Sequence, residues 1–499
     1  MNLSSIDLAD KIYACWAGKA VGGTIGMPYE GCPGPIELPP PASPDVMVAN
    51  DDLDLQLLWV WIMEEHGSSV RSRHLAQAAA EHYACYPDEY GVARWNTARG
   101  LLPPVTGQLN NAFENGMGAA IRSEIWACVA PGRPELAAAL AREDALMDHA
   151  GDGVEAARFL AAFESALFTS SDLQSALRTA LDLLPEVSKL RQALDQICML
   201  YVEGRSAETA QKYTQRHYGS ANFTDVVMNL SFILVGLLWG KGDPLQSIFL
   251  AVSCGADTDC TGATCGAILG LLHGTEGLPE AWRKVIQAPL VMDPSLRELP
   301  LPQSIKELTL RTLKLQQTWS LHEGERLESP TATLGELPDD IHQWLVLKPS
   351  ASALSDGGED LWSQAVQDPA SFHKYRYTAS GIHLKFQELG FHPGEVVDLL
   401  TWIEPGCVGA TRLMCCADSG IMAWMDGKLL VNDHSRLPRI PAFHRTVGGA
   451  TVPVDMVEGE RHLLHVRLWI GVVGDGGVTV AVGHEDGRYV HPVSFTIPG

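Results

Sequence analysis

Residues 257–274 read DTDCTGATCGAILGLLHG, and this stretch decides the fold. Two acids, Asp257 and Asp259, open a run of small and apolar residues. Gly262, Gly266, Gly270 and Gly274 then recur every four positions, the spacing that stacks residues on one helix face. Each interior helical glycine costs roughly 0.5–1 kcal/mol relative to alanine, so four on one stripe need a packing or functional reason. A face with almost no side chains lets another helix or a ligand approach closely. A similar stripe, Gly18, Gly22 and Gly26, lies near the N-terminus. If the stripes pack together, the Asp257–Asp259 cluster meets a second one, Asn50-Asp51-Asp52, which opens the apolar run Leu53–Trp61. Taken singly, each cluster has a bland explanation: Asn and Asp cap helices, and acids suit the positive end of the helix dipole. Taken together they form a carboxylate-rich, all-oxygen site suited to Mg²⁺, Mn²⁺ or Ca²⁺ rather than Zn²⁺.

Outward from these motifs the chain shows two regimes. From about Ile6 to Ile286 the apolar residues recur at three and four, as in Arg73–Cys85, Pro134–Asp148, Gly153–Phe168, Leu173–Leu184 and Lys189–Glu203. From about Leu345 short β-rich runs alternate with turn residues: Val397–Ile403, Thr411–Cys416, Ile421–Met425, His462–Ile470 and Gly477–Val482. Asp426-Gly427 between two apolar runs predicts a hairpin. The fold class expected is therefore multidomain, α and β. Residues 1–300 form an all-α helical bundle, 301–344 a connector that starts Pro-rich, and 345–499 a small antiparallel β-sandwich. Carbohydrate binding and oligomer contact are the roles open to that last domain.

Composition narrows the partners. Among 499 residues, 36 are Lys or Arg and 60 are Asp or Glu, a formal charge of -24 that repels phosphate backbones and anionic membranes. The expectation is no nucleic-acid and no membrane partner. The longest apolar run, Met228–Gly240, is short of the about 20 residues needed to span a bilayer. Met1–Asp10 carries acids rather than a basic leader, and eleven cysteines occur without a C-x-x-C pair. This reads as a reduced, cytoplasmic protein.

Three stretches carry a family resemblance. Ala17–Glu30 (AGKAVGGTIGMPYE), Asn50–Leu58 (NDDLDLQLL) and Gly242–Trp282, which ends in G-x-x-x-x-P-x-x-W, resemble the ADP-ribosylglycohydrolases, including the dinitrogenase reductase-activating type. Weaker matches are Gly118-Ala119-Ala120-Ile121-Arg122 and Asp148-His149. The resemblance implies an all-α bundle holding one or two Mg²⁺ ions, with Mn²⁺ or Ca²⁺ as alternatives. By position it implies Asn50, Asp51, Asp52, Asp257 and Asp259 as metal ligands. It makes Glu30, Asp52 and Asp259 the catalytic carboxylates, and Gly118, Asp148, His149 and Cys260 the substrate-binding positions. The reaction implied is hydrolysis of the bond at the anomeric carbon of a terminal ribose, in a small-molecule or glycosylated substrate. Two alternatives are a glycoside hydrolase acting on another furanoside and an inactive sugar-binding relative. A homo-oligomer is compatible with either.

The chain departs from the family pattern at Asn50 and Cys260, both family threonines. A thiol is a poor donor to a hard cation, so the sulfur of Cys260 is expected to stay out of Mg²⁺ coordination. Arg122 is expected to pair with Glu124. Tyr86, Tyr90 and Trp95 are expected to pack rather than stack on a ligand, and Trp402, Trp424 and Trp469 are expected in the sandwich core.

Overall fold

The computed structural model describes residues 4–85, 88–294, 296, 299–320, 342–348, 377–405, 409–434, 440–442, 451–471, 476–484, 488–489 and 493–496. Tyr86, residues 321–341 of the connector and part of the β domain lie outside the described residues. The chain divides into two compact units. One comprises Met1–Ala84, Leu101–Gln108 and Phe113–Thr331; the other comprises Cys85–Gly100, Leu109–Ala112 and Ala332–Gly499.

The first unit is helical. Its organising contact is between the helices Ser5–Gly26 and Thr258–His273. The two glycine stripes face each other so closely that no side chain fits between them. A Cβ on Gly18 would lie 2.0 Å from the Gly266 carbonyl oxygen, one on Gly22 2.1 Å from that of Gly262, and one on Gly26 2.0 Å from that of Thr258. Numbers rise along one helix as they fall along the other, so the pair is antiparallel. The end of the first helix therefore meets the start of the second, where the acids are. A third helix, Asp51–His66, begins at the same place: a Cβ on Gly23 would strike the Asn50 side chain at 1.9 Å. The stripes thus bring both acid clusters to one end of the bundle.

The helix Val226–Trp239, apolar but for Asn229 and Ser231, is buried from Val226 to Leu238, the usual fate of such a segment. No helix among the described residues is long and apolar enough to cross a membrane. Within the stretch read as a connector, Ile305–Ser320 is a helix that packs on Ser5–Gly26 and Glu124–Val129. Arg311 on it forms an ion pair with Glu64 at 2.6 Å.

The second unit is built from antiparallel strands: β1 (Gln343–Leu347), β2 (Tyr377–Ser380), β3 (His383–Lys385), β4 (Val396–Pro405), β5 (Gly409–Ala417), β6 (Gly420–Met425), β7 (Lys428–Asp433), β8 (Thr451–Met456), β9 (His462–Trp469), β10 (Gly477–Gly483) and β11 (Val493–Thr496). One sheet runs β2-β1-β4-β9-β6-β7 with β11 also on β4; the other runs β3-β10-β5-β8. Alternate residues of both sheets, such as Val397, Leu399, Leu413, Cys415, Val466, Val478 and Val480, form the core between them. At the β6–β7 turn Asp426 and Gly427 both have positive φ, 50° and 78°, the pairing a tight hairpin needs.

Trp402, Trp424 and Trp469 are not core residues. Their neighbours Ile403, Ala423 and Leu468 point inward, and a period of two sends the tryptophans to the opposite face. There Trp402 sits under Arg461, Trp424 stacks on His465 and Trp469 meets His434 edge-on. Trp95, on the helix Asp88–Ala98, packs against Ile382, Met414, Cys416 and Ala481, as a packing role predicts.

Candidate metal centre

Short-range contacts aim the acids at one another. The loop before Asp257 turns through Gly255 and Ala256, with φ of 82° and 67°. It is fastened to the segment after the first helix: Ala256 N–H donates to Cys32 O at 2.8 Å and Gly31 N–H to Ala256 O at 2.9 Å. Those two bonds set Glu30 against Asp257. Thr258 Oγ1 donates to Gly26 O at 2.8 Å, tying the start of one helix to the end of the other. Asp257 N–H donates to Asn229 Oδ1.

Two overlapping ligand sets result. Asp52, Asp259 and Cys260 form one, and Glu30, Asp257 and Asp259 the other. In each set one donor atom per residue lies within 4.8 Å of the others. Asp259 belongs to both. Glu30 is exposed while the other members are buried, so the centre opens at Glu30.

The electrostatics of these sets call for a cation. Asp52 Oδ2 and Asp259 Oδ1 are buried oxygens with no hydrogen-bond partner. Buried polar atoms are normally paired, and buried like charges are costly unless protons or a metal neutralise them. Burial pushes the Asp52 carboxyl up to about 6, against the opposing pull of Lys19. Burial, then the charges of Asp52 and Glu30, push Asp257 well above the usual carboxylate range against hydrogen bonds from Cys260 and Asp259, and burial, then repulsion led by Asp257, does the same to Asp259. A hard divalent cation takes six to eight oxygens at about 2.0–2.6 Å, and this donor chemistry fits one.

These shifts give a signed prediction. A carboxyl whose folded pKa is raised contributes stability that is present below its unfolded value and lost as pH rises through the folded one. For Asp52 that window runs from 3.8 to about 6, and for Asp54, raised by burial, to about 8. Metal-free protein should therefore melt at progressively lower temperature between about pH 5 and pH 8. Saturating Mg²⁺ should flatten or reverse that slope, because ligands must lose protons to bind. Parallel slopes with and without Mg²⁺ in a melting series would contradict the neutralisation argument.

Of the positions read from the sequence, Glu30, Asp52, Asp257, Asp259 and Cys260 come together. Asp51, half-buried in the first turn of its helix, lies outside the two ligand sets but raises the Asp259 carboxyl by repulsion. Asn50 Oδ1 accepts the Asp52 N–H at 2.7 Å and so caps the helix, and Asn50 lies outside the two ligand sets. Cys260 lies within a ligand set.

Gly118, Asp148 and His149 belong to a different buried network. Arg122 donates to Asp144 Oδ1 and Asp148 Oδ1, both at 2.7 Å, and to the Gly118 carbonyl at 2.6 Å. His149 Nδ1 lies 2.6 Å from Asp148 Oδ1, and its Nε2 accepts the Ala119 N–H. The expected Arg122–Glu124 pair is replaced by these, and Glu124 instead bonds Lys19 at 2.8 Å. Breaking a buried ion pair from one side costs about 3–5 kcal/mol, so Arg122→Met should destabilise by that amount. Urea denaturation checks it, and a loss below about 1 kcal/mol, the scale of a surface pair, would contradict a buried network.

Sequence reading missed Lys19 and Gln56. Lys19 is fully buried, with Nζ 3.4 Å from Asp52 Oδ1. Burial alone would lower its pKa, but Glu124 and Asp52 outweigh this and hold it charged. Gln56 Nε2 bridges the Asp52 carbonyl and Glu124 Oε2 at 2.9 and 2.8 Å. The available signal for Lys19 was a lone charge within residues 12–26, the otherwise uncharged part of its helix.

Comparison with known proteins adds the following. The sequence model of a family described as ADP-ribosylglycohydrolase matches residues 4–321. No curated protein matches the chain. Among solved structures, an ADP-ribosylglycohydrolase-related protein complex is similar at 18% identity over 63% of this chain and 99% of the other, with a TM-score of 0.42. A β-glucosidase from Kluyveromyces marxianus is 13% identical over 28% of this chain and 17% of its own, with a TM-score of 0.20. An anti-sigma factor domain-containing protein from Clostridium clariflavum is 12% identical over 28% and 40%, with a TM-score of 0.17.

Proposed function

The chain belongs to the ADP-ribosylglycohydrolase family, a family of hydrolases, and from that premise we propose that it is a divalent-cation-dependent enzyme cleaving the glycosidic bond at the anomeric carbon of a ribose-like sugar, with an ADP-ribosyl-type substrate. The observation that carries this reading is the convergence of Glu30, Asp52, Asp257 and Asp259, with buried carboxylate oxygens left unpaired and one exposed acid at the opening. Mg²⁺ is the ion proposed, with Asp259 and its carboxylate partners in the two sets, Asp52 in one and Asp257 in the other, as ligands. When bound, such an ion supplies Lewis acidity and a grip on sugar hydroxyls.

The protein's own groups divide the remaining work. Asp52, Asp257 and Asp259 hold negative charge at a fixed place. Lys19 and Gln56 fix Asp52 from behind, so its free oxygen keeps its direction. Glu30, as the solvent-reachable carboxylate, is the group we assign to accept a proton from the attacking water. Water oxygen ends on the anomeric carbon, the bond to the leaving group breaks, and the proton passes from Glu30 to the leaving group. Glu30→Gln should lower kcat by about 10²–10⁴ while leaving cation binding at the set that lacks Glu30, through Asp52 and Asp259, in place. Equal kcat in the variant would remove Glu30 from this role.

One observation favours a second substrate class. The segment aligned with the family's weaker motifs has its polar groups occupied by its own network: the Ala119 N–H by His149 and the Gly118 carbonyl by Arg122. A smaller furanoside without a pyrophosphate makes fewer demands there. A panel of ADP-ribosyl-arginine, ADP-ribosyl-serine, nucleosides and nitrophenyl furanosides, each with Mg²⁺ and with EDTA, tests both. EDTA-sensitive release from an ADP-ribosyl substrate supports the first reading, and from a simple furanoside alone the second. Turnover unaffected by EDTA contradicts both.

A further inference from the structure

We propose that the inner half of the centre is a mixed sulfur–oxygen position, in which Cys260 binds as a thiolate beside Asp52 and Asp259 and selects a softer divalent ion such as Mn²⁺, Co²⁺ or Zn²⁺ over Mg²⁺. This rests on the cation-dependent reading above and deepens it. The two ligand sets differ in chemistry: Glu30, Asp257 and Asp259 offer only oxygen, whereas Asp52, Asp259 and Cys260 offer two oxygens and a sulfur.

The geometry suits one ion. The three donor atoms lie within 4.8 Å of one another. With metal–sulfur and metal–oxygen bonds of about 2.3 and 2.1 Å, tetrahedral donors sit roughly 3.5 Å apart and opposed donors on one ion about 4.4 Å apart. Independent of the sulfur, Asp52 Oδ2 and Asp259 Oδ1 are unpaired oxygens on residues that are 0% and 2% exposed. Both residues belong to this set, so the set holds unmet demand for a positive partner.

A thiol that coordinates a divalent ion is deprotonated outright by it. Cys260 is also the third residue of the helix Thr258–His273, where the helix dipole favours a thiolate. Thiolate ligands select against Mg²⁺, and among the softer ions affinity rises from Mn²⁺ through Co²⁺. Cys260 hydrogen-bonds the Asp257 side chain, inside the acid cluster, whereas the other buried cysteine on this helix, Cys265, lies against the Ile233 carbonyl at 3.6 Å.

The test uses the full chain, stripped by chelation and titrated with Co²⁺. Wild type should show the near-ultraviolet sulfur-to-cobalt charge-transfer absorption. Cys260→Ser and Cys260→Ala should both lose it. Calorimetry on the same samples should show the tighter Co²⁺ step weakened by more than about tenfold in both variants, the lower end of what even outer partners of a metal ligand contribute. Mg²⁺ affinity should stay level or rise in Cys260→Ser. Calorimetric Co²⁺ binding by wild type without the absorption, or an absorption that survives in both variants, overturns the sulfur assignment and leaves the oxygen centre standing. Failure of wild type to bind Co²⁺, Mn²⁺ or Mg²⁺ overturns the assignment and the cation-dependent reading together.

Discussion

Asp259→Asn should abolish hydrolysis and Mg²⁺-dependent stabilisation in one step. Asp259 is the one residue common to both ligand sets, so its carboxylate serves any ion held in either. A cation bound only by the folded state adds RT ln(1 + [L]/Kd), about 2.7 kcal/mol at a hundredfold excess over Kd. Losing several kcal/mol of charge stabilisation in the transition state corresponds to a rate loss of about 10³ or more. The metal-free variant should also lose part of the fall in melting temperature with rising pH, because a buried carboxyl raised by burial and repulsion has been replaced by a neutral amide. Melting curves with and without Mg²⁺, alongside single-turnover rates, decide it. An equal Mg²⁺ shift in both proteins would show that Asp259 is not a ligand.

Gly266→Ala should unfold the centre from a distance. Ordinarily alanine stabilises an interior helical position by roughly 0.5–1 kcal/mol over glycine. Here its Cβ would lie 2.0 Å from the Gly18 carbonyl oxygen, a backbone atom that cannot rotate away. The helices must separate, and overpacking of this kind costs about 1–3 kcal/mol or more. The two expectations have opposite signs, so a urea melt separates them cleanly. Net destabilisation, together with weaker Mg²⁺ binding, fits helices in direct backbone contact. A more stable variant with intact Mg²⁺ binding would mean that the stripes do not meet.

The parts of the fold legible in the sequence were those encoded locally. A glycine every fourth residue reports that something comes close, and two such stripes in one chain are natural partners. Asp426-Gly427 reports a turn because positive φ is needed at both positions. Acids before an apolar helix report a helix start whether or not they also hold a metal, and Asn50 shows the helix-start half of that signal, its Oδ1 accepting the Asp52 N–H.

Choice of long-range partner is different. Arg122 is two residues from Glu124, yet its partners Asp144 and Asp148 are contributed by a later segment, while Glu124 turns to Lys19. Nothing in the spacing of these charges records that exchange. The tryptophans of the β domain fail for a related reason. Alternation shows that two faces exist, but not which face is the core, and a shift of one residue reverses the answer.

The most direct measurement of the central claim is anomalous diffraction from crystals soaked in Mn²⁺, with EDTA-treated crystals as the reference. The account predicts an anomalous peak beside Asp259, in the set it shares with Asp52 and Cys260 or in the set it shares with Glu30 and Asp257, with carboxylate oxygens about 2.0–2.6 Å from it and the unpaired oxygens of the occupied set turned towards it. Soaked crystals with no peak there, and with those oxygens still unpaired or hydrogen-bonded to one another, would contradict it.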